Sequence, residues 1–436
     1  MPLSVRLIRA AASAALALGA ALPALAETVY IQAGRVLAVP GEAPLGATTI
    51  IVRDGRIDSL IPGYTAPRDS KIRLVDLKNS YVLPGLIDSH VHLTSDTGGI
   101  ASQLEDVTLS PAAQAFNAWE NGIKTLNAGF TTVRNLGDGD GAVLALRDAI
   151  NDGQVQGPRI LDAGASISAT SGHMDGSLGY RDELRDFFNA AGNTCNGAED
   201  CRRAVRLQVA RGADVIKFAS TGGVNSRIGA GLGKQMFADE ANAIVETAKL
   251  FGKKVSAHAH GADGIRLALE AGVDSIEHGT MLDPETIDAF VDSGAYYVPT
   301  LSTVNGYIER LKANAEAYEP DVRSKIEWRI GITGKSLEIL YARGVRIAFG
   351  TDAGVSKHGR NADEFELMVK FGMPPAEAIK AATVNAADLI GLSAEVGTLE
   401  PGKSADLIAV KGDPLKDVKV LKQVDFVMLR GNVVKD

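Results

Sequence analysis

The sequence predicts an α/β chain: a (β/α)8 TIM-like barrel carrying a small β-sandwich domain built from both chain termini. Three observations carry that expectation. Eight short apolar runs recur through the middle of the chain and are mostly separated by Ala/Glu/Lys-rich helical segments. β-branched runs flank this stretch on both sides. A His-x-His pair stands after the first central strand, where the competing fold, an open doubly wound sheet, would carry a Gly-rich phosphate loop.

Taken in order, residues 1–26 read as a secretory signal peptide. Arg6 and Arg9 precede a small apolar run from Ala10 to Ala21, and Pro23-Ala24-Leu25-Ala26 supplies the small-x-small cleavage pattern. Export to the periplasm or the medium is therefore expected, and the mature chain has no apolar run long enough to span a membrane. Residues 27–80 hold the first part of the sandwich. Thr28–Gln32 and Thr48–Val52 are β-branched strands, and Asp54-Gly55 makes a hairpin turn before Arg56–Leu60. Residues 395–436 complete it with Ala405–Val410 and Phe426–Met428-Leu429, the latter followed by the turn Arg430-Gly431-Asn432.

The barrel is assigned to residues 81–394. Its strands are read at 86–90, 131–134, 159–162, 214–218, 254–258, 275–278, 296–299 and 346–350, with helices at 199–211, 239–251 and 262–271 among the connections. The 47 glycines suit a fold with many tight strand-to-helix turns.

Composition removes several functions. Hydrophobic residues at 45% and charged residues at 22% are ordinary globular values. The 45 Lys and Arg against 53 Asp and Glu give −8, which becomes −10 once Arg6 and Arg9 are cleaved away. Without a basic excess, nucleic acid is not an expected partner. In an exported chain, Cys195 and Cys201, six residues apart in a polar turn-forming stretch, are expected to form a disulfide.

Chemistry in a barrel collects at the C-terminal strand ends. His90 and His92 end the first strand and, being two residues apart, face the same way. Lys217 ends the fourth strand, His258 the fifth, His278 the sixth and Asp352 the eighth. Two imidazoles at one strand end are a natural metal half-site. Lys217 is the odd member. Burial could neutralise it and allow carboxylation by CO₂ to an anionic carbamate, or it could simply pair with a carboxylate such as Asp352. His260 shares the strand face of His258 and could reach the cavity or pack in the core. His173 lies in a glycine-flanked loop that is either a substrate loop or a surface turn. His358 is left without a role.

The run Pro84-Gly85-Leu86-Ile87-Asp88-Ser89-His90-Val91-His92, together with Lys217, His258, His278 and Asp352, resembles the metal-dependent amidohydrolase superfamily. Gly129–Asn135, Gly212–Lys217 and Ser256–Gly261 are similar to its prolidase and imidazolonepropionase-like branch, and the likeness covers essentially the whole mature chain. The resemblance implies two divalent metal ions, with zinc the first choice and Mn or Co left open. His90, His92 and Asp352 would hold the buried one and His258 and His278 the exposed one. Carboxylated Lys217 would bridge them, and Asp352 would serve as catalytic base. His260, Arg227 and Tyr180 are expected to receive a substrate carboxylate, with His173 also at the substrate.

The implied activity is hydrolysis of the amide joining an acyl group to a C-terminal amino acid, carboxypeptidase- or dipeptidase-like. Conversion of ochratoxin A to ochratoxin alpha and phenylalanine is included. The alternatives are an Xaa-Pro dipeptidase, an imidazolonepropionase-like hydrolase, or an exported binding protein without catalysis. Homo-oligomers, octamers among them, are implied by the same resemblance.

Overall fold

The computed structural model describes residues 28–139, 141–227 and 231–436; the expected signal peptide, residues 1–26, lies outside them. The N-terminal strands are β1 (Thr28–Val36), β2 (Thr48–Arg53), β3 (Arg56–Pro62) and β4 (Arg73–Pro84). The central strands are β5 (Leu86–Val91), β6 (Phe130–Asn135), β7 (Arg159–Asp162), the short β8 (Ser168–Ala169) and β9 (Thr194–Cys195), and β10 (Val215–Ala219). They continue as β11 (Lys254–Ala259), β12 (Ser275–His278) and β13 (Tyr296–Val298). The chain closes with β14 (Leu407–Val410), β15 (Val424–Leu429) and β16 (Asn432–Lys435).

The two chain ends do pair, but in one seven-stranded mixed sheet, ordered β16-β15-β14-β4-β1-β2-β3. Its hydrogen bonding does not divide into the two facing sheets expected of a sandwich. Both hairpins turn on a pair of left-handed residues, Asp54 and Gly55 (φ 51° and 76°) and Arg430 and Gly431 (φ 50° and 78°), the geometry that matches strand twist. The two tips also touch: a Cβ on Gly431 would stand 2.6 Å from the Gly55 Cα. The strand period of two then sorts side chains to the two faces. Leu407, Ala409, Phe426 and Met428 enter one apolar core, while Ile408, Val410 and Val427 enter the core shared with Phe130, Phe349 and Phe365. The sheet is therefore buried on both sides and fixed against the central strands.

Those strands are all parallel, in sheets β5-β6-β7 and β10-β11-β12-β13. Single residues link them. The Ile167 N–H bonds to the Lys217 carbonyl at 2.8 Å, and Ala219 N–H to the Ile167 carbonyl at 2.9 Å. On the other side, Tyr297 N–H reaches the Arg346 carbonyl (2.8 Å) and Ser89 N–H the Phe349 carbonyl (2.9 Å). The arrangement is consistent with a TIM barrel.

The expected eighth strand, 346–350, is reduced to a single bridge at Ile347. The reason is that Phe349 N–H is taken by the Ala381 carbonyl at 3.0 Å, in the π turn Ala381–Asn385, and not by a neighbouring strand. The three helices expected from the sequence appear within one residue, at Ala198–Ala210, Ala238–Leu250 and Ala262–Ala271. No helix among the described residues is long and apolar enough to cross a membrane.

Candidate metal centre

Register brings the polar strand ends to one level. Lys217 pairs with Ser256, Ala219 with His258 and Ala259 with His278. His278 and Asp352 both take left-handed backbone angles, φ 73° and 57°, uncommon for residues other than glycine. Such strain, held by the surrounding packing, is typical of functional sites.

Two groups of side chains could hold a metal ion: His90, His92 and Asp352, and His258, His260 and His278, with the ligand atoms of each group within 4.8 Å of one another. In the first, His90 Nε2 lies 3.3 Å from His92 Nε2. Asp352 Oδ1 is 3.4 Å and 3.3 Å from the same two nitrogens. The opposite nitrogens are already committed. His90 Nδ1 meets Glu277 Oε2 at 2.8 Å, and His92 Nδ1 meets the Gly137 carbonyl at 3.3 Å. A carboxylate and a carbonyl can only accept, so each Nδ1 is the donor and each Nε2 is the nitrogen turned toward Asp352. Two imidazole nitrogens and a carboxylate oxygen thus converge. That arrangement fits a cation, and His with carboxylate suits zinc or a related divalent ion.

The second group is built on the same plan. His258 Nε2 donates to the Gly222 carbonyl at 3.2 Å, leaving Nδ1 free. His278 Nδ1 meets Thr300 Oγ1 at 2.7 Å; that hydroxyl gives its own proton to the Pro299 carbonyl, so the imidazole is the donor. His260 Nδ1 meets Thr280 Oγ1 at 2.8 Å. Outer partners of this kind fix the tautomers of His258 and His278, as metal-binding histidines require, whereas the Thr280 hydroxyl can either donate to His260 or accept from it.

Burial decides the charges. It pushes the His90 imidazole down to about 4, and Lys217 nearby adds to the effect. Burial also holds His258, His260 and His278 well below the ordinary histidine value. The His90–Glu277 contact is accordingly a hydrogen bond from a neutral ring. For Asp352 burial acts upward, but His90, His92 and Lys217 outweigh it and hold the carboxyl below its usual range. Glu277 behaves alike: burial raises it, and Arg134 (2.9 Å) and His90 lower it further than that. Lys217 is lowered to about 8, chiefly by burial, and its Nζ has no hydrogen-bond partner.

A cavity of about 160 Å³ is lined by both groups, by His173 and by Tyr307 and Arg329. It shares His92, Met174, Asn225 and Val355 with a larger cavity of about 460 Å³, whose walls include Phe187, Phe188 and Tyr318. His173 packs against His258 with tilted rings whose centroids are 4.2 Å apart, a position open only because residue 223 is glycine: a Cβ there would lie 2.1 Å from the ring.

Arg227 and Tyr180 line neither cavity. Arg227 pairs with Glu319 at 3.2 Å and lies over the Tyr180 ring, whose hydroxyl is used on the Gln103 carbonyl. Their expected contact with a substrate carboxylate is therefore not what the structure offers, because both are satisfied by each other's neighbours. His358 is structural, its Nε2 meeting the His92 and Ser95 carbonyls. Cys195 and Cys201 form the expected disulfide.

Sequence reasoning missed Glu277, Arg134, Tyr307 and Arg329. Glu277 had a signal: an acidic residue inside an apolar strand, beside His278, needs a partner.

Parallel strands thus end at a pocket whose two groups of His and Asp side chains could hold metal ions. The chain belongs to the amidohydrolase family, whose model matches residues 81–434, and is a hydrolytic enzyme acting on amide bonds. Among relatives, it is 34% identical over 419 residues to the ochratoxinase of Aspergillus niger, covering 91% of this chain and 84% of that protein. The solved structure of that ochratoxinase aligns with a TM-score of 0.78 at 30% identity, covering 94% of this chain and 96% of the other. A solved Xaa-Pro dipeptidase with methionine bound in its active site aligns at 0.87 and 37% identity, covering 94% of this chain and all of that one.

Proposed function

We propose that the chain is a binuclear amidohydrolase that cleaves the amide between an acyl group and a C-terminal amino acid, ochratoxin A among its substrates. The observation that carries this reading is the convergence of two groups of metal-ligating side chains, with the buried Lys217 close enough to act electrostatically on His90, His278 and Asp352 and its Nζ without a hydrogen-bond partner. His90, His92 and Asp352 would hold one divalent ion, zinc by preference, and His258 and His278 the other. Such ions, when bound, supply Lewis acidity and lower the pKa of a water.

The chain's own groups do the rest. Burial favours the neutral Lys217 amine, which can add CO₂, lose a proton and become an anionic carbamate between the two groups. Asp352, kept ionised by its neighbours, takes the proton of the attacking water and hands it to the departing amine nitrogen. His260 and His173 face the substrate. Glu277 holds His90 in the tautomer the site needs, and Arg134 holds Glu277.

The parallel circuit is read as an eight-stranded barrel, with residues 27–80 and 395–436 as its companion domain. The formed disulfide supports export, in keeping with removal of residues 1–26. N-terminal sequencing of protein from a bacterial host should begin at Glu27.

The deciding assay is metal-loaded enzyme with ochratoxin A, N-acyl amino acids, Xaa-Pro dipeptides and an imidazolonepropionate. Phenylalanine release from ochratoxin A is expected, and its absence overturns that substrate. An Xaa-Pro dipeptidase is the second reading, favoured by the TM-score of 0.87, and the dipeptides test it. Lys217→Ala is expected to lose metal and activity together; an active, metal-replete variant refutes the carbamate.

A further inference from the structure

The turn that follows β13 is gripped by a carboxylate from a distant part of the chain. Thr300, buried in that turn, has a left-handed backbone (φ 48°), a genuine outlier for a β-branched residue. In that conformation its hydroxyl donates to the Pro299 carbonyl at 2.8 Å and accepts from His278 Nδ1 at 2.7 Å. The orientation of one hydroxyl therefore settles which nitrogen of His278 carries the proton. A turn relaxed to ordinary backbone angles would carry that hydroxyl away from the ring.

Glu364, on the helix Asp363–Lys370, supplies the carboxylate. Its Oε1 accepts from the Leu301 N–H at 2.8 Å and its Oε2 from the Ser302 N–H at 2.6 Å. Successive N–H groups beside a left-handed residue form a concavity suited to an anion, and Glu364 fills it from 63 positions away. The side chain is fully buried, and among the described residues no Lys, Arg or His bonds to it. Burial pushes its carboxyl up to about 7, and the Leu301 and Ser302 donors are what draw it back. A charge buried at that cost, whose side chain bonds to one turn alone, has no other partner to serve.

We infer that Glu364 is a positioning residue for the second donor group: by clamping the Leu301–Ser302 backbone it keeps the Thr300 hydroxyl on His278 Nδ1, so that Nε2 is the nitrogen offered to a metal ion. This rests on the reading of His258 and His278 as a metal seat. Glu364 does for His278, through one turn of backbone, what Glu277 does for His90 by direct contact. Glu364→Gln keeps the shape but replaces one acceptor oxygen with an NH2 group, which holds one backbone N–H and opposes the other.

The experiment adds cobalt(II) to metal-free protein at a pH above the Glu364 value of about 7, and reads binding by visible absorption and elemental analysis. Wild type is expected to take up two ions per chain. In Glu364→Gln the second ion should bind about 10- to 100-fold more weakly, with the first unchanged. Thr300→Val, which removes the hydroxyl and keeps the branched shape, should weaken the second ion alike. The double variant should be no weaker than Thr300→Val alone, because Glu364 acts through that hydroxyl. Additive losses, equal weakening of both ions, or an undiminished second ion in Glu364→Gln overturn the inference.

The tautomer of His278 separates this from failure of the metal reading. Nitrogen NMR of metal-free protein carrying isotope-labelled histidine, assigned with His278→Gln, should place the proton on Nδ1 in wild type and divide it between both nitrogens in Glu364→Gln. Wild type that takes up no second ion refutes that seat, yet the tautomer change still supports the positioning role; an unchanged tautomer overturns it. Should Glu364→Gln not fold, Glu364→Asp keeps both oxygens and shortens their reach. It is expected to fold and to weaken the second ion by up to about 10-fold; undiminished binding refutes the clamp.

Discussion

The two donor groups differ in what stands behind them. His90, His92 and Asp352 include a carboxylate, and His90 leans on the buried Glu277, itself gripped by Arg134, Ser256 and Ser275. His258, His260 and His278 are three neutral rings backed by a carbonyl and two hydroxyls. One group is anionic and anchored by an ion pair; the other is electrically neutral. On the proposed reading, the difference teaches that one pocket would offer a dication two unequal seats, a tight one at the first group and a labile one at the second, from nearly the same ligand chemistry.

Asp352→Asn should have the largest effect, because it removes the only anion of the first donor group, which is also the proposed proton carrier. A loss of about 10³-fold or more in kcat is expected, with one metal per chain remaining. An Asp352→Asn enzyme within tenfold of wild type would dissolve the distinction between the seats. Glu277→Gln comes next. It preserves shape but takes the charge from behind His90, so metal affinity at the first group should fall about 10- to 100-fold while the second is spared. Metal titration followed by elemental analysis reads both.

These two residues also mark how far the sequence can be read. Asp352, His90, His92, His258 and His278 could be read together from sequence because each stands at or just past the end of a short apolar run, although the run before Asp352 forms only a single bridge at Ile347. Glu277 and Arg134 meet from β12 and β6, 143 positions apart in sequence, and nothing local announces that contact. Arg329 sits on a helix whose apolar residues follow no clear stripe, so it reads as a surface cation until tertiary packing buries it. Arg227 and Tyr180 misled for the opposite reason: as polar loop residues they looked available, but they satisfy Glu319 and Gln103. The terminal strands were visible as β-branched runs, whereas their union in one sheet depended on which edges remained free.

A chelator series gives a smaller, graded effect. With no carboxylate of its own, the second group should release its ion first, so metal content is expected to pause near one per chain before falling further. Simultaneous loss from both would place the holding power in something shared, such as a carbamate on Lys217, and not in the asymmetry.

Acid separates the seats most finely, in metal-free protein. Each imidazole of the second group is held below its ordinary value by burial, so below pH 6.5 the unfolded chain takes up protons that the folded chain refuses. Stability is therefore fully present above pH 6.5 and falls as the pH drops beneath it, by up to about 1.4 kcal/mol per pH unit for each ring. Asp352, a lowered carboxyl, contributes only further down: its share is intact above the ordinary aspartate value and is lost as the pH falls below 3.8. His260→Gln should accordingly flatten the decline between pH 6.5 and 5 in urea titrations, and Asp352→Asn should leave that window unchanged. The reverse pattern would mean that the neutral seat is not the acid-sensitive one.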